Sequence, residues 1–218
     1  MDARGVGVRE FAQQLREAGV RLVQYRDKVN GPQEILRAAN EIDKAFEGVE
    51  VTRIMNDRAD LAVLAGWDGV HVGQGDLGVE AARRVFEPTL ASANHRSEHA
   101  RRGPRTQPQR WGTRIVGIST HDEEQLGIAI KSGPDYVAVG PVFATVSKVN
   151  PDPVVGLELV RRARALTELP IVAIGGITVA NARSVIGAGA DAVAVIGGLF
   201  VEGRTVSEVA RDFLEFLG

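Results

Sequence analysis

The sequence predicts an α/β fold, a TIM (β/α)8 barrel that occupies residues 1–218 as a single domain. Short apolar runs alternate with helical patterns along nearly the whole chain, and repeated strand–helix units form a parallel sheet with right-handed crossovers. A closed barrel and an open doubly wound sheet both fit this alternation. The barrel is favoured because no Gly-x-Gly-x-x-Gly motif follows the first strand. Polar residues and glycines also recur at the strand ends that form the active face of a barrel.

Seven strands and eight helices are predicted from the hydrophobic pattern. Each strand is short, apolar and rich in Val or Ile, as expected of strands that are buried on both faces. The predicted strands are Arg21–Tyr25, Val51–Met55, Gly69–Val72, Arg114–Ile118, Asp135–Val139, Ile171–Ile174 and Ala192–Ile196. The predicted helices are Val8–Ala18, Pro32–Phe46, Arg58–Ala65, Val79–Phe86, Glu123–Lys131, Gly156–Leu166, Val179–Ala188 and Thr205–Phe216. Because a helix comes first, the first strand of an eight-stranded barrel is missing from this set.

Composition excludes several classes of function. The chain has 218 residues, of which 44% are hydrophobic, enough for one domain with a full core. A net charge of −2 gives no global basic field for nucleic acid, and without cysteine there is no disulfide or thiolate site. No apolar run approaches the ~18 residues that span a bilayer, and Met1–Glu10 is too polar for a signal peptide. We therefore expect a cytoplasmic protein with small-molecule partners, no nucleic acid and no membrane, and a homo-oligomer stays open.

One stretch interrupts the alternation, an irregular insertion at about residues 88–113. Residues 91–114 contain six arginines against one acid, Glu98, and they also include Pro104 and Pro108. This composition predicts a long loop or a partly disordered segment. A solvated surface excursion is favoured over a lid or a docking arm.

The first strand ends in a polar motif, Gln24-Tyr25-Arg26-Asp27-Lys28. The period of two along a strand puts Gln24, Arg26 and Lys28 on one face. Two cations and an amide are costly to desolvate unless an anion meets them, and an arginine fork with a lysine point charge suits a pyrophosphate. Taken alone, a strand end that frays into solvent is as well supported as an anion site.

Two carboxylates follow the next two strands. Asp57, preceded by Asn56, and Asp76 each stand before a predicted helix, so each could be only an N-cap. At the ends of neighbouring strands they could instead share one Mg²⁺, which is usually held by one or two carboxylates plus substrate phosphate. The cations of the first motif favour the metal. His71 is more readily explained as a packed or orienting histidine than as a metal ligand.

Further polar groups follow the fourth and fifth strands. Ser119, Thr120 and His121 could bind substrate or move a proton, although either hydroxyl could equally cap the helix that follows. The loop after the fifth strand carries two hydroxyls and an amine on Thr145, Ser147 and Lys148. That loop could close over a phosphate, but the indication is weak because loop lysines are usually solvated.

Glycine pairs end the last two strands, Gly175-Gly176 and Gly197-Gly198. Glycine lets a backbone approach a ligand closely, and helix N-termini offer N–H groups to an anion. The phosphate site of a barrel often lies in these two loops. Tight turns alone would explain one pair better than both, so the pairs are the most specific indication of an anion site.

Taken together, these motifs resemble the thiamine phosphate synthase family. The matching stretches are VQYRDK (23–28), NDRADLAVLAGWDGVHVGQGDL (56–77), IVGISTH (115–121), DYVAVGPVFATVSK (135–148) and PIVAIGGI (170–177). They are in order and spread over nearly the whole chain. The resemblance implies a TIM barrel that couples hydroxymethylpyrimidine pyrophosphate to thiazole phosphate and releases pyrophosphate.

The resemblance also implies a role for each candidate residue. The pyrimidine pyrophosphate would be held by Gln24, Arg26, Lys28 and Asn56. The Mg²⁺ cofactor would be bound by Asp57 and Asp76. Ser119 and Lys148 would contact pyrophosphate and, with Arg26, are the candidate catalytic residues. The thiazole phosphate would be received by Thr145, Ser147, Gly176, Ile196 and Gly197.

Three departures from the family pattern leave two alternatives open. The first strand is missing, the insertion replaces a short connection, and Gly197 replaces a common serine, which removes one hydroxyl donor worth roughly 1 kcal/mol. One alternative is the related thiazole tautomerase, which uses a histidine at the position of His121. The other is a non-catalytic phosphate-binding regulatory barrel. The VIGGLF segment near the end of the chain slightly favours the tautomerase, whereas the GQGD segment and the Gln-x-Arg-x-Lys motif favour the synthase, since a tautomerase needs neither metal nor pyrophosphate. The set of Asp57, Asp76 and Lys148 argues against the regulatory barrel, since a binding protein needs no metal for leaving-group chemistry.

Overall fold

A computed structural model describes residues 6–86, 114–145 and 152–217 of the chain. The predicted insertion at about 88–113 falls wholly outside these residues, as do two candidate site residues, Ser147 and Lys148. Within the described parts, no helix is both long enough and apolar enough to cross a membrane.

The described residues form one parallel seven-stranded sheet in which the strands follow one another in chain order. The strands are β1 (Leu22–Tyr25), β2 (Thr52–Asn56), β3 (Gly69–Val72), β4 (Ile115–Thr120), β5 (Tyr136–Val139), β6 (Ile171–Ile174) and β7 (Ala192–Ala194). All six pairings are parallel. The carboxyl ends of all the strands therefore lie along one edge of the sheet, as the prediction of a common rim requires.

In the residues that the structure describes, one α-helix precedes β1, one lies between each pair of successive strands, and one follows β7. The helices are α1 (Val8–Ala18), α2 (Pro32–Ala45), α3 (Ala59–Ala65), α4 (Val79–Phe86), α5 (Glu123–Lys131), α6 (Gly156–Leu166), α7 (Val179–Gly187) and α8 (Val206–Leu217). A short 3-10 helix, Gly197–Leu199, follows β7. Most predicted bounds differ from the observed ones by a single residue or not at all, so the alternating α/β architecture is confirmed.

In the described part of the chain the sheet is open between β7 and β1, whereas the layer of helices is continuous there. Among the described residues, β1 pairs only with β2 and β7 only with β6. The helix layer nevertheless continues from α8 through α1 to α2. Phe11 of α1 stacks on Phe200 with ring centroids 5.6 Å apart, Gln14 accepts a hydrogen bond from the Val206 N–H at 2.9 Å, and Arg16 donates to the Ala45 carbonyl at 3.1 Å.

In the described parts of the chain no strand lies between β7 and β1, which are the two edges of the sheet. Leu22 of β1 is 58% exposed, whereas all four residues of β3 are buried. The structure thus shows a parallel α/β sheet one strand short of eight, which agrees with the predicted missing first strand. It does not show a closed (β/α)8 barrel.

Two apolar clusters hold the fold together. One surrounds β1 and β2 and includes Tyr25, Phe46 and Trp67, and the rings of Tyr25 and Trp67 meet edge to face with centroids 6.4 Å apart. The other fills the space around β3 to β7 and includes Leu126 and Ile171. The strand ends that carry polar residues stand on these two cores, so the rim has a rigid base.

Three aspartates connect the strands at the opposite edge of the sheet. Asp68, Asp135 and Asp191 each directly precede a strand. Each carboxylate accepts a hydrogen bond from a backbone N–H of the preceding strand in the sheet, at Arg53 (2.8 Å), Val116 (2.7 Å) and Ile171 (2.8 Å). A carboxylate that satisfies a strand-edge N–H stabilises the sheet. These acids are therefore structural and lie at the edge away from the candidate site.

Candidate active site

The side chains at the ends of β1 and β2 contact each other at the rim. Gln24 donates through Nε2 to Oδ1 of Asn56 at 2.8 Å. The next residue of β1, Tyr25, is buried and only 4% exposed. The strand therefore alternates as predicted, with Tyr25 in the core and Gln24 at the rim beside Asn56. Each amide in this pair keeps further hydrogen-bonding groups that this bond does not use.

The loop after β1 is held by Asp27, a residue to which the sequence analysis gave no role. Its carboxylate accepts hydrogen bonds from the N–H groups of Val29 and Asn30, from the Asn30 side chain and from the Tyr25 hydroxyl, all at 2.9 Å. Burial opposes its ionisation, but these donors outweigh burial and hold the pKa of Asp27 well below its usual value. Asp27 therefore fixes the backbone that carries Arg26 and Lys28. An Asx-turn, in which an Asp accepts from N–H groups two and three residues on, was the available sequence indication.

Asp57 does not cap the helix that follows it. The N-cap of α3 is Arg58, and it makes no side-chain capping bond. Asp57 has a φ of 61°, the left-handed region that non-glycine residues seldom occupy. Its N–H donates to the His71 carbonyl at 2.7 Å, and its carboxylate forms an ion pair with Lys28. Strained backbone of this kind is typical of functional sites.

Asp76 contacts the backbone of the turn before it and the side chain of Lys28. Its Oδ2 accepts a hydrogen bond from the Gly73 N–H at 3.0 Å, and its Oδ1 lies 3.9 Å from the Lys28 ammonium. The two carboxylates that the sequence placed at neighbouring strand ends thus meet at one lysine. The capping alternative is wrong for Asp57, because Arg58 is the N-cap of α3.

The pKa shifts of the two aspartates have opposite signs. Burial raises the pKa of Asp57, and the nearby Asp76 raises it further against the effect of Lys28. Burial also acts on Asp76, but contacts with Asp57, the Gly73 N–H, Lys28 and Arg26 together hold its pKa below the usual value. Two carboxylates with divergent pKa values resist carrying two negative charges together. An added cation would relieve this repulsion.

The donor set fits one hard divalent cation. Within the described residues no group of three or more His, Cys, Asp or Glu side chains could hold a metal alone. Mg²⁺ does not need such a group, because it keeps several waters and is commonly bound by one or two carboxylates and the substrate phosphates. Asp57 and Asp76 supply the two carboxylates, and the Lys28 ammonium already lies between them. The assignment of the two aspartates to Mg²⁺ stays a prediction.

Ser119 and Thr120 have different surroundings, and neither caps α5. The N-cap of α5 is Asp122, which accepts from the Gln125 N–H at 2.7 Å. Thr120 is buried and donates to the Ala138 carbonyl at 3.1 Å. Ser119 lies 2.7 Å from Nε2 of His71, and its carbonyl accepts from the Gln74 side chain at 2.6 Å. The prediction that His71 packs and orients rather than binds metal agrees with these contacts.

Both ring nitrogens of His121 have partners. Nδ1 contacts the Gly140 carbonyl, and Nε2 lies 3.5 Å from the Asp152 carboxylate. The imidazole therefore joins the end of β4 to the end of β5 and to the start of the segment before α6. A histidine engaged at both nitrogens must break one contact before it can move a proton for a substrate.

The first glycine pair has a structural explanation that the sequence analysis underestimated. Gly175 and Gly176 have φ values of 89° and 66°. A Cβ on Gly176 would overlap the Ala144 carbonyl, and one on Gly175 would overlap Pro141. The backbone that approaches these glycines is thus the β5–α6 loop of the protein itself. That packing places Gly176 against Phe143 and Ala144, directly before the half-buried Thr145.

The second glycine pair lies against the first. A Cβ on Gly198 would overlap the Ile177 carbonyl, so the loop after β7 rests on the loop after β6. Ile196 is 52% exposed at the start of this loop, and Gly197 begins the 3-10 helix. The structure thus brings Gly176, Ile196 and Gly197 to adjoining loops at the rim. Whether a phosphate binds there stays a prediction.

Comparison with known proteins gives concordant matches. A family model described as thiamine monophosphate synthase matches residues 6–109 and 104–199. A thiamine-phosphate synthase of Koribacter versatilis (strain Ellin345) is 49% identical over 207 residues, which are 95% of this chain and 85% of that protein. One of Caldicellulosiruptor bescii is 34% identical over 187 residues, 86% of this chain and 74% of that protein.

A solved structure agrees with the sequence matches. A thiamine phosphate pyrophosphorylase from Pyrococcus furiosus superposes with a TM-score of 0.78 at 26% identity. The superposition covers 99% of this chain and 92% of that one. The similarity therefore extends over the whole sheet and its helices.

Proposed function

The chain belongs to the thiamine monophosphate synthase family, and on that basis we propose that it couples hydroxymethylpyrimidine pyrophosphate to thiazole phosphate, giving thiamine phosphate and pyrophosphate. The observation that carries the proposal is the convergence of Asp57, Asp76 and Lys28 at the ends of three neighbouring strands. A pyrophosphate leaving group with one divalent cation fits this mixture of charges. Neither an isomerase of a neutral ring nor a simple phosphate-binding protein needs it.

The first substrate is assigned to the rim above β1, β2 and β3. The amides of Gln24 and Asn56 would hold the pyrimidine, and Arg26 and Lys28 would hold its pyrophosphate. Asp57 and Asp76 would hold Mg²⁺, and Lys28, which contacts both carboxylates, would bind a phosphate oxygen of the substrate. When bound there, Mg²⁺ would neutralise charge on the pyrophosphate oxygens.

The reaction we propose is dissociative. The bond between the pyrimidine methylene carbon and the pyrophosphate oxygen breaks, and the oxygen leaves with both electrons. The thiazole nitrogen then donates its lone pair to the resulting methylene cation and forms the new C–N bond. Arg26, Lys28, Ser119 and Lys148 would stabilise the charge that grows on the departing oxygens. No protein nucleophile is needed, and the fold would hold the thiazole in line.

The second substrate is assigned to the adjoining loops after β5, β6 and β7. Thr145, Ser147, Gly176, Ile196 and Gly197 would receive the thiazole phosphate. Contact between the loops at Gly198 and Ile177 supports a single concave phosphate site rather than two separate turns. Assembly as a homo-oligomer and a cytoplasmic location stay predictions.

We also propose that the sheet closes as a TIM barrel when an eighth strand pairs with β1 and β7. Contacts across the interval between β7 and β1 support this, because α1 packs against Phe200 and the start of α8 on the helix side of the sheet. Amide hydrogen exchange tests it. Closure predicts slow exchange for the outward-facing N–H groups of β1, comparable to those of β3. Exchange as fast as that of an unpaired edge would contradict closure.

The proposed reaction is tested by following pyrophosphate release with each component omitted in turn. Purified protein should release pyrophosphate only with the pyrimidine substrate, thiazole phosphate and Mg²⁺ all present. Chelation with EDTA should abolish release, and added Mg²⁺ should restore it. Release that does not depend on thiazole phosphate would reveal a hydrolase and contradict the coupling reaction.

A further inference from the structure

A chain of hydrogen bonds crosses three strands behind the rim. The Tyr136 hydroxyl of β5 lies 2.9 Å from Nδ1 of His71 in β3. Nε2 of the same imidazole lies 2.7 Å from Oγ of Ser119 in β4. His71 is only 6% exposed, so its ring nitrogens depend on protein partners. We call Tyr136, His71 and Ser119 the relay.

Gly117 makes the relay possible. It lies in the middle of β4, between the strands that carry Tyr136 and His71, and a Cβ at this position would overlap the Tyr136 ring. Without a side chain at Gly117 the tyrosine can cross β4 and stack on His71, with ring centroids 5.5 Å apart. A glycine inside a strand often marks such a close approach. Glycine weakens the strand locally, but here it allows the two rings to come into contact.

The direction of the hydrogen bonds follows from the tyrosine. Burial raises the pKa of Tyr136, so its hydroxyl keeps its proton and has one O–H to donate. Within the described residues, Nδ1 of His71 is the acceptor available to it. A neutral imidazole that accepts at Nδ1 carries its proton on Nε2. That N–H then donates to Oγ of Ser119. The proton of the serine hydroxyl must therefore point away from His71.

The opposite direction leaves the Tyr136 O–H without an acceptor among the described residues. If Ser119 donated to Nε2, the histidine proton would lie on Nδ1 and point at the tyrosine oxygen. The Tyr136 proton would then lack an acceptor among the described residues, which is costly for an enclosed hydroxyl. The Ser119 backbone is held as well, because its carbonyl accepts from Gln74. The relay and this bond together fix the serine in position and in direction.

We propose that Tyr136 and His71 are positioning residues that hold the Ser119 hydroxyl as a hydrogen-bond donor toward the departing pyrophosphate. The inference rests on the proposed function, because it takes Ser119 as a contact of that leaving group. A donor whose direction is fixed before the reaction needs no reorganisation while charge develops. The relay therefore acts on the chemical step more than on substrate binding.

A double-mutant cycle tests the proposal. Ser119→Ala should lower kcat for pyrophosphate release about 100-fold, as the loss of one transition-state donor does. Tyr136→Phe keeps the ring and removes only the hydroxyl, and it should lower kcat about 10-fold with KM for the pyrimidine substrate changed less than about threefold. In the Ser119→Ala background, Tyr136→Phe should change kcat less than about twofold, because nothing is left to position.

Thr120→Val is the matched control for the loss of a buried hydroxyl. Thr120 also makes one hydroxyl hydrogen bond between β4 and β5, but on the residue after Ser119 and outside the relay. The Thr120→Val variant should lose stability as Tyr136→Phe does, but its kcat should stay within about twofold of the parent value. Rescue gives a further check. His71→Gln keeps an N–H near the place of Nε2 and should retain more activity than His71→Leu.

The position of the histidine proton supplies a readout that does not need activity. Nitrogen-15 spectra of imidazole-labelled protein, assigned with His71→Gln, should show the Nε2–H tautomer in the parent and a mixture in Tyr136→Phe. Full additivity of Tyr136→Phe and Ser119→Ala, or an Nδ1–H tautomer in the parent, would overturn the proposal. An inactive parent that shows the Nε2–H tautomer would contradict the proposed function and leave the positioning of Ser119 supported.

Discussion

Asp76→Asn will lower the rate of pyrophosphate release at least about 100-fold while the protein stays folded. The amide keeps the size of the carboxylate and one oxygen to accept from the Gly73 N–H. It removes one of the two negative charges that would hold a divalent cation. The measurement is kcat as a function of Mg²⁺ concentration, and the midpoint should also move to higher Mg²⁺. Urea unfolding of the same sample checks the fold.

Asp60→Asn is the control for this charge change. Asp60 lies in α3, pairs with Arg58 and is 55% exposed. Because surface ion pairs contribute little, we expect activity within about twofold of the parent and stability within about 1 kcal/mol. A parent-like rate in Asp76→Asn would remove Asp76 from the metal site. Equal activity losses in both variants would show that the effect of Asp76 is a general effect of net charge.

Gly176→Ala will lower the free energy of unfolding by about 3 kcal/mol, without any ligand present. A residue with a side chain at a left-handed φ costs about 1–2 kcal/mol, and overpacking against neighbours that cannot move adds about 1–3 kcal/mol. Both apply here, since φ is 66° and the new Cβ would overlap the Ala144 carbonyl. The measurement is urea unfolding of the protein alone.

Gly127→Ala is the same chemical change, but it should raise the free energy of unfolding. Gly127 lies in α5, and nothing stands within 4 Å of where its Cβ would be. Alanine in a helix interior is favoured over glycine by up to about 1 kcal/mol, so this variant should gain stability. If Gly176→Ala were as stable as the parent yet inactive, the glycine would serve a ligand only, and the packing explanation would be wrong.

The local pattern of apolar and polar residues was sufficient to predict the helices and strands. β3, α4, α5 and α6 begin and end at the predicted residues, because each is a short apolar run or an amphipathic segment bounded by glycine, proline or a polar residue. The alternation also predicted which strand ends would share a rim. Closure could not be predicted in this way, because pairing of β1 with a distant strand depends on chain geometry and not on local sequence.

The candidate site was predictable in its charges but not in its supporting contacts. Asp57 and Asp76 could be recognised as rim carboxylates, while their common contact with Lys28 joins three separate loops. The glycine pairs were attributed mainly to a ligand, whereas Gly176 and Gly198 are required by protein backbone that comes from distant segments. Long-range contacts of this kind leave no periodic signal in the sequence.

The relay shows the same limit. His71 was expected to pack or to orient a neighbour, and the side chains that it contacts lie 48 and 65 residues away along the chain. Gly117 was the available indication, since a glycine within a Val- and Ile-rich strand marks a close approach by another group. Only the sheet register, which pairs His71 with Gly117 and Gly117 with Tyr136, shows what approaches.

The most direct test of the account is a product balance. The protein is incubated with hydroxymethylpyrimidine pyrophosphate, thiazole phosphate and Mg²⁺, and thiamine phosphate, pyrophosphate and isomerised thiazole are separated and quantified for the parent and for His121→Ala. The proposed coupling reaction predicts thiamine phosphate and pyrophosphate in equal amounts and no isomerised thiazole. Isomerised thiazole that disappears in His121→Ala, with no pyrophosphate from folded parent protein, would contradict it and identify a tautomerase.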